Sequence, residues 1–585
     1  ILIYYIMSDF NPLDRARINT HRSSFDLSSK KLFTAKIGEI LPCYWQIAIP
    51  GNKYRISSDW FTRTVPVNTA AYTRLKEYYD FYAVPLRLIS RALPQAFTQM
   101  KDYMTSAASN SANTKQLSNV PYAPVGNISA EIQACVTANT VDDAGFGFAY
   151  GSCKLLDMLG YGSFIGVSNS KKKEITMQYL GLDSASLSDF QNPLIYGTSI
   201  NLNLLPIFAY QKIYFDFYSN SQWEKHLAYS YNVDYWNGDS SVEISADMIK
   251  LRYANYPKDY FLGVLPNSQY GSVAVLPQTY SPSIPSNLIL SYNSTPSTAG
   301  VSNPSGSTSV VTDSSNTSGS ARSLRLNSDL SALSIRATEY LQRWKEVVQF
   351  SSKDYSDQMA AQFGIKAPEY MGNHAHYIGG WSNVININEV LNTNLTADNS
   401  QAVIAGKGVG SMSGHVINYD CGAEHQVIMC VYHAVPLLDW SLKGHNPQLL
   451  CTSVSDFPQP AFDQLGMQPV PSLALNNSPS SPVGNIGYNL RYWQWKSAVD
   501  TVHGAFRPAA AYQSWVAPLQ GSQVQVSGQS SLSYQSFKIR PQQLNSIFEP
   551  QITTSNYNVA YDQLLCNVNF QVHAVQNLDR NGLPY

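Results

Sequence analysis

Residues Lys53 to Pro85 read KYRISSDWFTRTVPVNTAAYTRLKEYYDFYAVP, and the reading of this stretch decides the fold. The first half is rich in β-branched and aromatic residues, and Pro66, Asn68 and Thr69 then supply a turn. In the second half Leu75, Tyr79, Phe81 and Ala83 fall on one face, and Arg74, Lys76, Asp80 and Tyr82 on the other. A period of two is that of a strand with one face toward a core. Glu77 interrupts the apolar face and is a candidate for a buried or interfacial ion pair. Two strands joined by a turn and stopped by Pro85 predict a hairpin that opens an all-β barrel or sandwich.

Working outward, Leu32 to Pro50 holds earlier strands and ends in the turn Pro50-Gly51-Asn52. Ser8 to Ser29 is a polar arm without strong periodicity, expected to pack on a neighbour or line an inner surface. Its Arg15, Arg17 and Arg22 are candidate DNA contacts. The opening ILIYYI lacks the flanks of a signal peptide and is read as upstream translation or a gene-call error before Met7. Leu86 to Tyr103 reads as a short helical connection broken by Pro94, and 104–200 as a long insertion. Ala209, Ile213 and Phe217 recur every four residues and predict a helix after Pro206.

Tyr280 to Ser320 is almost wholly Ser, Thr, Asn, Pro and Gly, with Asp313 its single charge. Such a segment cannot order itself as a core and is expected to be a loop. Asp329 to Phe350 predicts a helix with one apolar stripe, Leu330, Leu333, Ala337, Tyr340, Leu341, Trp344 and Val348, capped by Ser328 or Asn327. A shorter helix with Tyr355, Met359 and Phe363 stops at Gly364. His425 to Pro436 is apolar on both faces, as for a buried strand. In Leu565 to Val575, Cys566, Val568, Phe570, Val572 and Ala574 alternate with polar residues.

With 44% hydrophobic and 12% aromatic residues, the chain of 585 residues has ample core supply. Tyrosines number 39 and charged residues only 14%, which suits β-surfaces and extended contacts rather than a solvated helical protein. A net charge of −1 excludes a global basic field, so the chain would not neutralise a genome by itself. The seven cysteines are odd in number and scattered, and are read as buried thiols in a reducing compartment. No apolar run approaches the ~20 residues that span a membrane.

Each candidate chemistry has a plainer reading beside it. His374 and His376 resemble half a metal site, but no carboxylate or cysteine follows at ligand spacing. Gly406 to Ser411 faintly resembles a phosphate loop and reads better as an irregular loop. His425, His433 and Asp439 invite a hydrolase triad, without a nucleophile elbow. Glu77 with Asp80, or Asp216 with Glu224, are carboxylate pairs of the kind glycoside hydrolysis uses, and read better as surface charge. Arg491, Tyr492, Trp493, Trp495 and Lys496 mix base-stacking residue types; strand alternation puts the two tryptophans in a core or a subunit contact. No catalytic, cofactor or metal assignment follows.

The stretch WFTRTVPVNTAAYTRLKEYYDFYAVP resembles the N-terminal signature of the major capsid proteins of Microviridae, nearest the gokushovirus-like and Bacteroidetes-associated branch. Ser219 stands where the gokushoviruses commonly have Arg. LRYANYPKDYFLGVLPNSQYG, FGIKAPEYMG, FPQPAFDQLGMQPV and GYNLRYWQWKSAVDTVHGAF continue the likeness in order, within blocks 23–85, 204–271, 324–390, 457–506 and 560–585. The resemblance implies an eight-stranded antiparallel jelly roll over 32–585 behind an arm at 1–31. Insertions would fall at about 104–200 and 277–323, with a helical one at about 324–364. It further implies a non-enzymatic subunit of a T=1 icosahedral shell around circular single-stranded DNA. That shell would be built in the host bacterial cytoplasm with an internal scaffolding protein, a DNA pilot protein and a small basic DNA-packaging protein. A loop holding Asn293, Thr308 and Asn316 would then meet a host surface receptor. The tyrosine, tryptophan and asparagine content also suits a secreted carbohydrate-binding or surface-nutrient protein of a gut bacterium, and a β-fold glycosidase is a third class.

Overall fold

In the computed structural model the described residues are 21–65, 67, 71–98, 119–162, 164, 200–227, 233–236, 240–275, 332–365, 372–391, 404–475, 484–524, 532–548 and 562–580, with short strand pieces at 288–292, 295–299, 301–302, 309–310, 553–554 and 557–558. Ten strands form the framework: β1 (Ser23–Asp26), β2 (Ser29–Ala35), β3 (Leu41–Ala48), β4 (Lys53–Thr64), β5 (Leu75–Pro85), β6 (His376–Leu391), β7 (Ile404–Ser413), β8 (Ile417–Asp420), β9 (Gln426–Pro436) and β10 (Leu564–Gln576). β4, β10 and the first half of β5 alternate buried with more exposed residues, and β9 is buried throughout.

The strands pair antiparallel in the order β2-β10-β4-β7 on one side and β3-β9-β5-β6 on the other; the β6–β7 pairing joins the two. β1 extends the β10 edge, and β8 continues β7 along β4. This is the eight-stranded order of an antiparallel jelly roll. The opening stretch therefore does not form the expected hairpin. β4 pairs with β10 and β7, whereas β5 pairs with β9 and β6, so the 65–74 connection crosses between the sheets. Residues 23–26 and 29–31, assigned to the arm from sequence, are strand residues paired with β10.

Between the sheets lies a column of rings. Trp60 sits 4.9 Å from Tyr79, Tyr79 4.8 Å from Tyr432, and Phe81 5.2 Å from Trp381 and 6.1 Å from Phe570. Glu77 lies fully buried among them. Its carboxylate accepts from Trp60 Nε1 at 3.3 Å, Asn383 Nδ2 at 3.4 Å and Tyr432 OH at 3.5 Å. All three donors are neutral, and no salt bridge reaches Glu77 among the described residues, so the expected ion pair is absent. Burial raises its pKa above the ordinary carboxylate value, and the hydrogen bonds recover only part of the shift.

Gly406 to Ser411 is not a loop but part of strand β7. A Cβ on Gly408 would lie 2.5 Å from Thr64 Cγ2, and one on Gly410 would lie 2.7 Å from Glu77 Oε1. These glycines let β7 close on the barrel interior, which is why the motif resembles a phosphate loop without being one.

The β5–β6 connection carries α1 (Val125–Thr137), α2 (Phe148–Met158) and α3 (Leu205–Ile213), the last continuing as one wide turn through Tyr218. The α3 helix starts at Leu205 with Pro206 in its first turn, where a proline is tolerated. Pro94 likewise lies near the start of a helix, Ala92–Thr98, and does not break it. α2 packs on β3, and α3 on β5 and β9, so helices cover the outer side of that sheet. Among the described residues, no helix is long and apolar enough to cross a membrane.

The chain divides into two compact units, Ile1–Ser268 with Ser352–Tyr585, and Gln269–Ser351. The smaller holds α4 (Ala332–Phe350), against which Tyr270 rests with its ring 6.4 Å from Trp344. The predicted stripe of α4 is largely uncovered: Leu333, Tyr340, Leu341 and Trp344 are exposed. Leu330 and the cap positions lie outside the described residues. In the larger unit α5 (Tyr355–Phe363) is capped by Asp354 and ends at Gly364 with φ +68°, as its sequence predicts.

Two outcomes are expected from the barrel interior. The native state binds a proton at Glu77 more tightly than the unfolded chain does. Stability therefore falls as pH rises from the ordinary carboxylate range through the raised pKa. Glu77→Gln should remove that slope and raise the thermal midpoint at neutral pH; an unchanged pH–stability profile counts against the assignment. Gly408→Ala should destabilise by about 1–3 kcal/mol, from overpacking against Thr64, read as the shift in urea midpoint.

Candidate assembly interface

After β9 the chain leaves the barrel and is anchored at Trp440. That indole is fully buried, donates to Asp259 Oδ2 at 2.5 Å and packs edge-on to Phe261 at 5.1 Å. Beyond it, residues 446–466 form a ribbon of short turns. Asn446 caps Pro447–Leu450, Ser453 and Asp456 make a reciprocal capping box around Val454–Asp456, and Pro460 opens Pro460–Phe462. The Ser-x-x-Asp spacing and the prolines thus hold the ribbon rigid without strand pairing. Phe457 packs on Trp495 at 5.7 Å, Gln448 Nε2 donates to Gln494 O at 2.9 Å, and Lys496 pairs with Asp463.

Every residue from 452 to 465 is exposed in the isolated chain. Val454 is 83% exposed, Leu465 64%, Phe462 50% and Phe457 48%, with Leu449 at 75% just before them. A second apolar cluster joins Tyr72, Phe506, Tyr512 and Trp515, with ring separations of 5.6 to 6.0 Å. Apolar surface left in water forfeits about 25 cal/mol per Å². Concentrated on a rigid frame and rich in aromatics, it has the make-up of a protein–protein contact.

The residues singled out by sequence fall as follows. Arg15, Arg17, Asn293, Thr308 and Asn316 lie outside the described residues. Arg22 is exposed, and its Nε donates to Asn577 Oδ1 at 2.8 Å. His374 Nε2 sits 2.7 Å from Asp354 Oδ1; burial works to lower its pKa, but the Asp354 hydrogen bond and the Asp216 and Asp354 charges outweigh it and hold it above the ordinary value. His376 opens β6 opposite Ala83. Among the described residues no three His, Cys, Asp or Glu side chains converge as metal ligands would. All seven cysteines are free thiols, six of them buried.

His425 stacks on Phe97 at 4.1 Å, whereas His433 stacks on Tyr78 at 4.8 Å. Burial pushes His433 down to about 3 and Asp80, 4.0 Å away, up to about 6. The two histidines thus serve different ring contacts, not one triad. Glu77 and Asp80 point to opposite sides of β5, into and out of the barrel. Asp216 binds Lys212 and the Ala375 N–H, while Glu224 binds Tyr214 and Lys538, so that pair is not shared either. Trp493–Lys496 is a short helix, not the strand expected from alternation; Trp495 is exposed and borders the ribbon. Sequence reading did not single out the ribbon as a contact surface. Its signal was aperiodic Leu, Val and Phe among Pro, Ser and Gln, a pattern that fits neither strand nor helix.

A family of phage proteins described as capsid protein (F protein) matches residues 16–146 and 176–573. Capsid protein VP1 of Chlamydia phage 1 is 24% identical over 204 residues, covering 33% of this chain and 34% of that protein. The match thus spans about a third of the curated relative's length. Taken with a jelly-roll barrel that exposes a rigid apolar ribbon, the family match over most of the chain is decisive: the chain belongs to the capsid protein (F protein) family of the Microviridae.

Proposed function

We propose that the chain is the major shell subunit of a small phage, and that copies of it assemble into a T=1 icosahedral capsid enclosing circular single-stranded DNA. The observation that carries this reading is the exposed ribbon at 446–466. Its apolar side chains are held out by caps and prolines before any partner arrives, so association costs little further ordering. Many such modest contacts, repeated by symmetry, close a shell. No chemical reaction is assigned to the subunit. An internal scaffolding protein, a DNA pilot protein and a small basic packaging protein complete the particle in the host bacterial cytoplasm. A chain of net charge −1 needs that added basic protein, or counterions, to offset the phosphates. The Ser/Thr/Asn-rich loop at 280–320, with Asn293, Thr308 and Asn316, faces the host receptor.

Phe462→Lys and Leu465→Lys should leave the circular dichroism and thermal midpoint unchanged, since both side chains are already exposed, while reducing particle yield in negative stain at least about tenfold. Normal particles from both variants would remove the ribbon from the shell contacts, and soluble monomers from the unaltered chain, even with scaffolding protein, would sink the capsid reading. Deleting 280–320 should leave assembly intact and change host adsorption; loss of particles would instead make that loop structural.

A further inference from the structure

A cavity of about 230 Å³ lies where the α1–α2 connection meets the chain between 519 and 543. Ala144, Tyr256, Leu519 and Val524 form its apolar walls. Gln523, Lys538, Arg540 and Gln542 contribute polar groups. The frame is fixed by backbone bonds: Tyr256 N–H donates to Phe537 O and Ile539 N–H to Ala254 O, both at 2.9 Å. Leu519–Gln520 pairs parallel with Trp440–Ser441, at the anchoring indole. Ser533 and Ser536 cap the turn Tyr534–Phe537, and Pro541 opens the turn Pro541–Ser546. Walls held in this way are shaped before a ligand arrives, which lowers the ordering cost of binding.

Some of the polar groups are already engaged. Lys538 Nζ donates to Tyr214 OH and, at 3.2 Å, to Glu224 Oε2. Tyr256 OH donates to Gln543 Oε1, and Gln543 Nε2 to Ala517 O at 3.1 Å. Three groups stay open among the described residues. Arg540 makes no ion pair and no side-chain hydrogen bond, although its charge lies close enough to Tyr256 to work against the rise that burial gives that phenol's pKa. Gln542 Nε2 donates to Ala144 O at 3.0 Å, but its Oε1 is buried and accepts from no donor. Gln523 Oε1 accepts from the Gln520 N–H at 3.0 Å, which leaves its own amide N–H groups open. Among the described residues no carboxylate lines the cavity. A buried acceptor without a donor and a cation without a counterion are both costly, and both point to a ligand.

We propose that this cavity binds a small aliphatic α-hydroxycarboxylate. The planar Arg540 fork takes the carboxylate, and the ligand hydroxyl donates to Gln542 Oε1 and accepts from Gln523 Nε2. The aliphatic tail lies against Leu519, Val524 and Ala144. A dry cavity of roughly 150 Å³ holds benzene, so about 230 Å³ admits about nine non-hydrogen atoms, the size of α-hydroxyisocaproate. Each rival leaves a group unmatched. Water answers neither the Arg540 charge nor the apolar walls, and a neutral sugar leaves Arg540 without a counterion. A free amino acid brings an ammonium beside Arg540 and Lys538. Phosphate asks for a second open cation, and Lys538 is engaged with Glu224. Only the folded chain presents the site, so occupancy stabilises the packing of 519–524 and 536–543 around it. The site stands apart from the exposed ribbon and does not depend on the capsid reading.

The test titrates the full chain with α-hydroxyisocaproate, followed by calorimetry and by thermal midpoint. At about one hundred times Kd the midpoint should rise by about 2 °C. Isocaproate, which lacks the hydroxyl, should bind about tenfold more weakly, because Gln542 Oε1 stays without a donor. The uncharged amide of the same hydroxy acid should lose at least about tenfold, and so should the acid itself on Arg540→Gln with circular dichroism unchanged. No binding heat and no midpoint shift up to about 10 mM ligand overturns the proposal. Inorganic phosphate binding as tightly as the hydroxy acid overturns it too, as does equal binding of the acid and its amide. Hydrogen exchange on the unaltered chain gives a reading free of variant folding. Ligand-dependent slowing within 519–524 and 536–543 supports the site, and slowing confined to other segments refutes it.

Discussion

The barrel is tied together at a group of charges that no single stretch of chain contains. Lys154 of α2 donates to Glu39 Oε2 at 2.6 Å and to Asp562 Oδ2 at 2.9 Å, and Tyr150 OH donates to Glu39 Oε1 at 2.6 Å. Lys36 stands 3.5 Å from Asp562 with its amine over the Tyr150 ring. All these side chains are buried, at 8% exposure or less. Burial alone would raise the Asp562 pKa, but Lys154 and Lys36 outweigh it and hold the carboxyl at about 2. Lys36 has no hydrogen bond to offset its own burial and is pushed down, whereas the well-bonded Lys154 is held up. Removing one partner of such a group strands a buried charge, at a cost of roughly 3–5 kcal/mol. The arrangement is therefore all-or-none. It requires the segment before β3, the insertion and the segment before β10 to be in place together.

With the insertion locked in this way, the two sides of the barrel are free to differ. The helices bury one sheet and build outward from it. Among the described residues the other sheet keeps a polar outer side, and the connection after β9 throws out a capped apolar ribbon. An exposed Phe and Leu surface on a capped frame suits burial against a partner. That surface is gathered into the capped ribbon, the ring cluster of Tyr72, Phe506 and Tyr512, and the α4 stripe. The buried Glu77, held only by neutral donors, shows that the interior tolerates a costly group where packing surrounds it with enough N–H and O–H donors.

The strands were legible because alternation is a local property. β4, β5, β9 and β10 match the residues whose pattern predicted them, and Gly364 ends α5 as its sequence requires. The family was legible too, since collinear blocks such as WFTRTVPVNTAAYTRLKEYYDFYAVP extend over most of the chain. Trp493–Lys496 misled because its alternation is equally compatible with one helical turn. Gly406–Ser411 misled because glycines that permit close strand packing look, in isolation, like those that cradle a phosphate.

By itself, then, the amino-acid sequence determined that β4, β5, β9 and β10 are strands, that α5 stops at Gly364, and to which family the chain belongs. These depend on neighbours a few residues apart, or on order along the chain. Only the tertiary structure decided that β4 and β5 lie in different sheets and that Glu77 has no cation beside it among the described residues. It also decided that the α4 stripe is largely exposed and that every residue of 452–465 is exposed. Strand partners and solvent exposure are set by contacts between residues hundreds of positions apart, and no local periodicity encodes them.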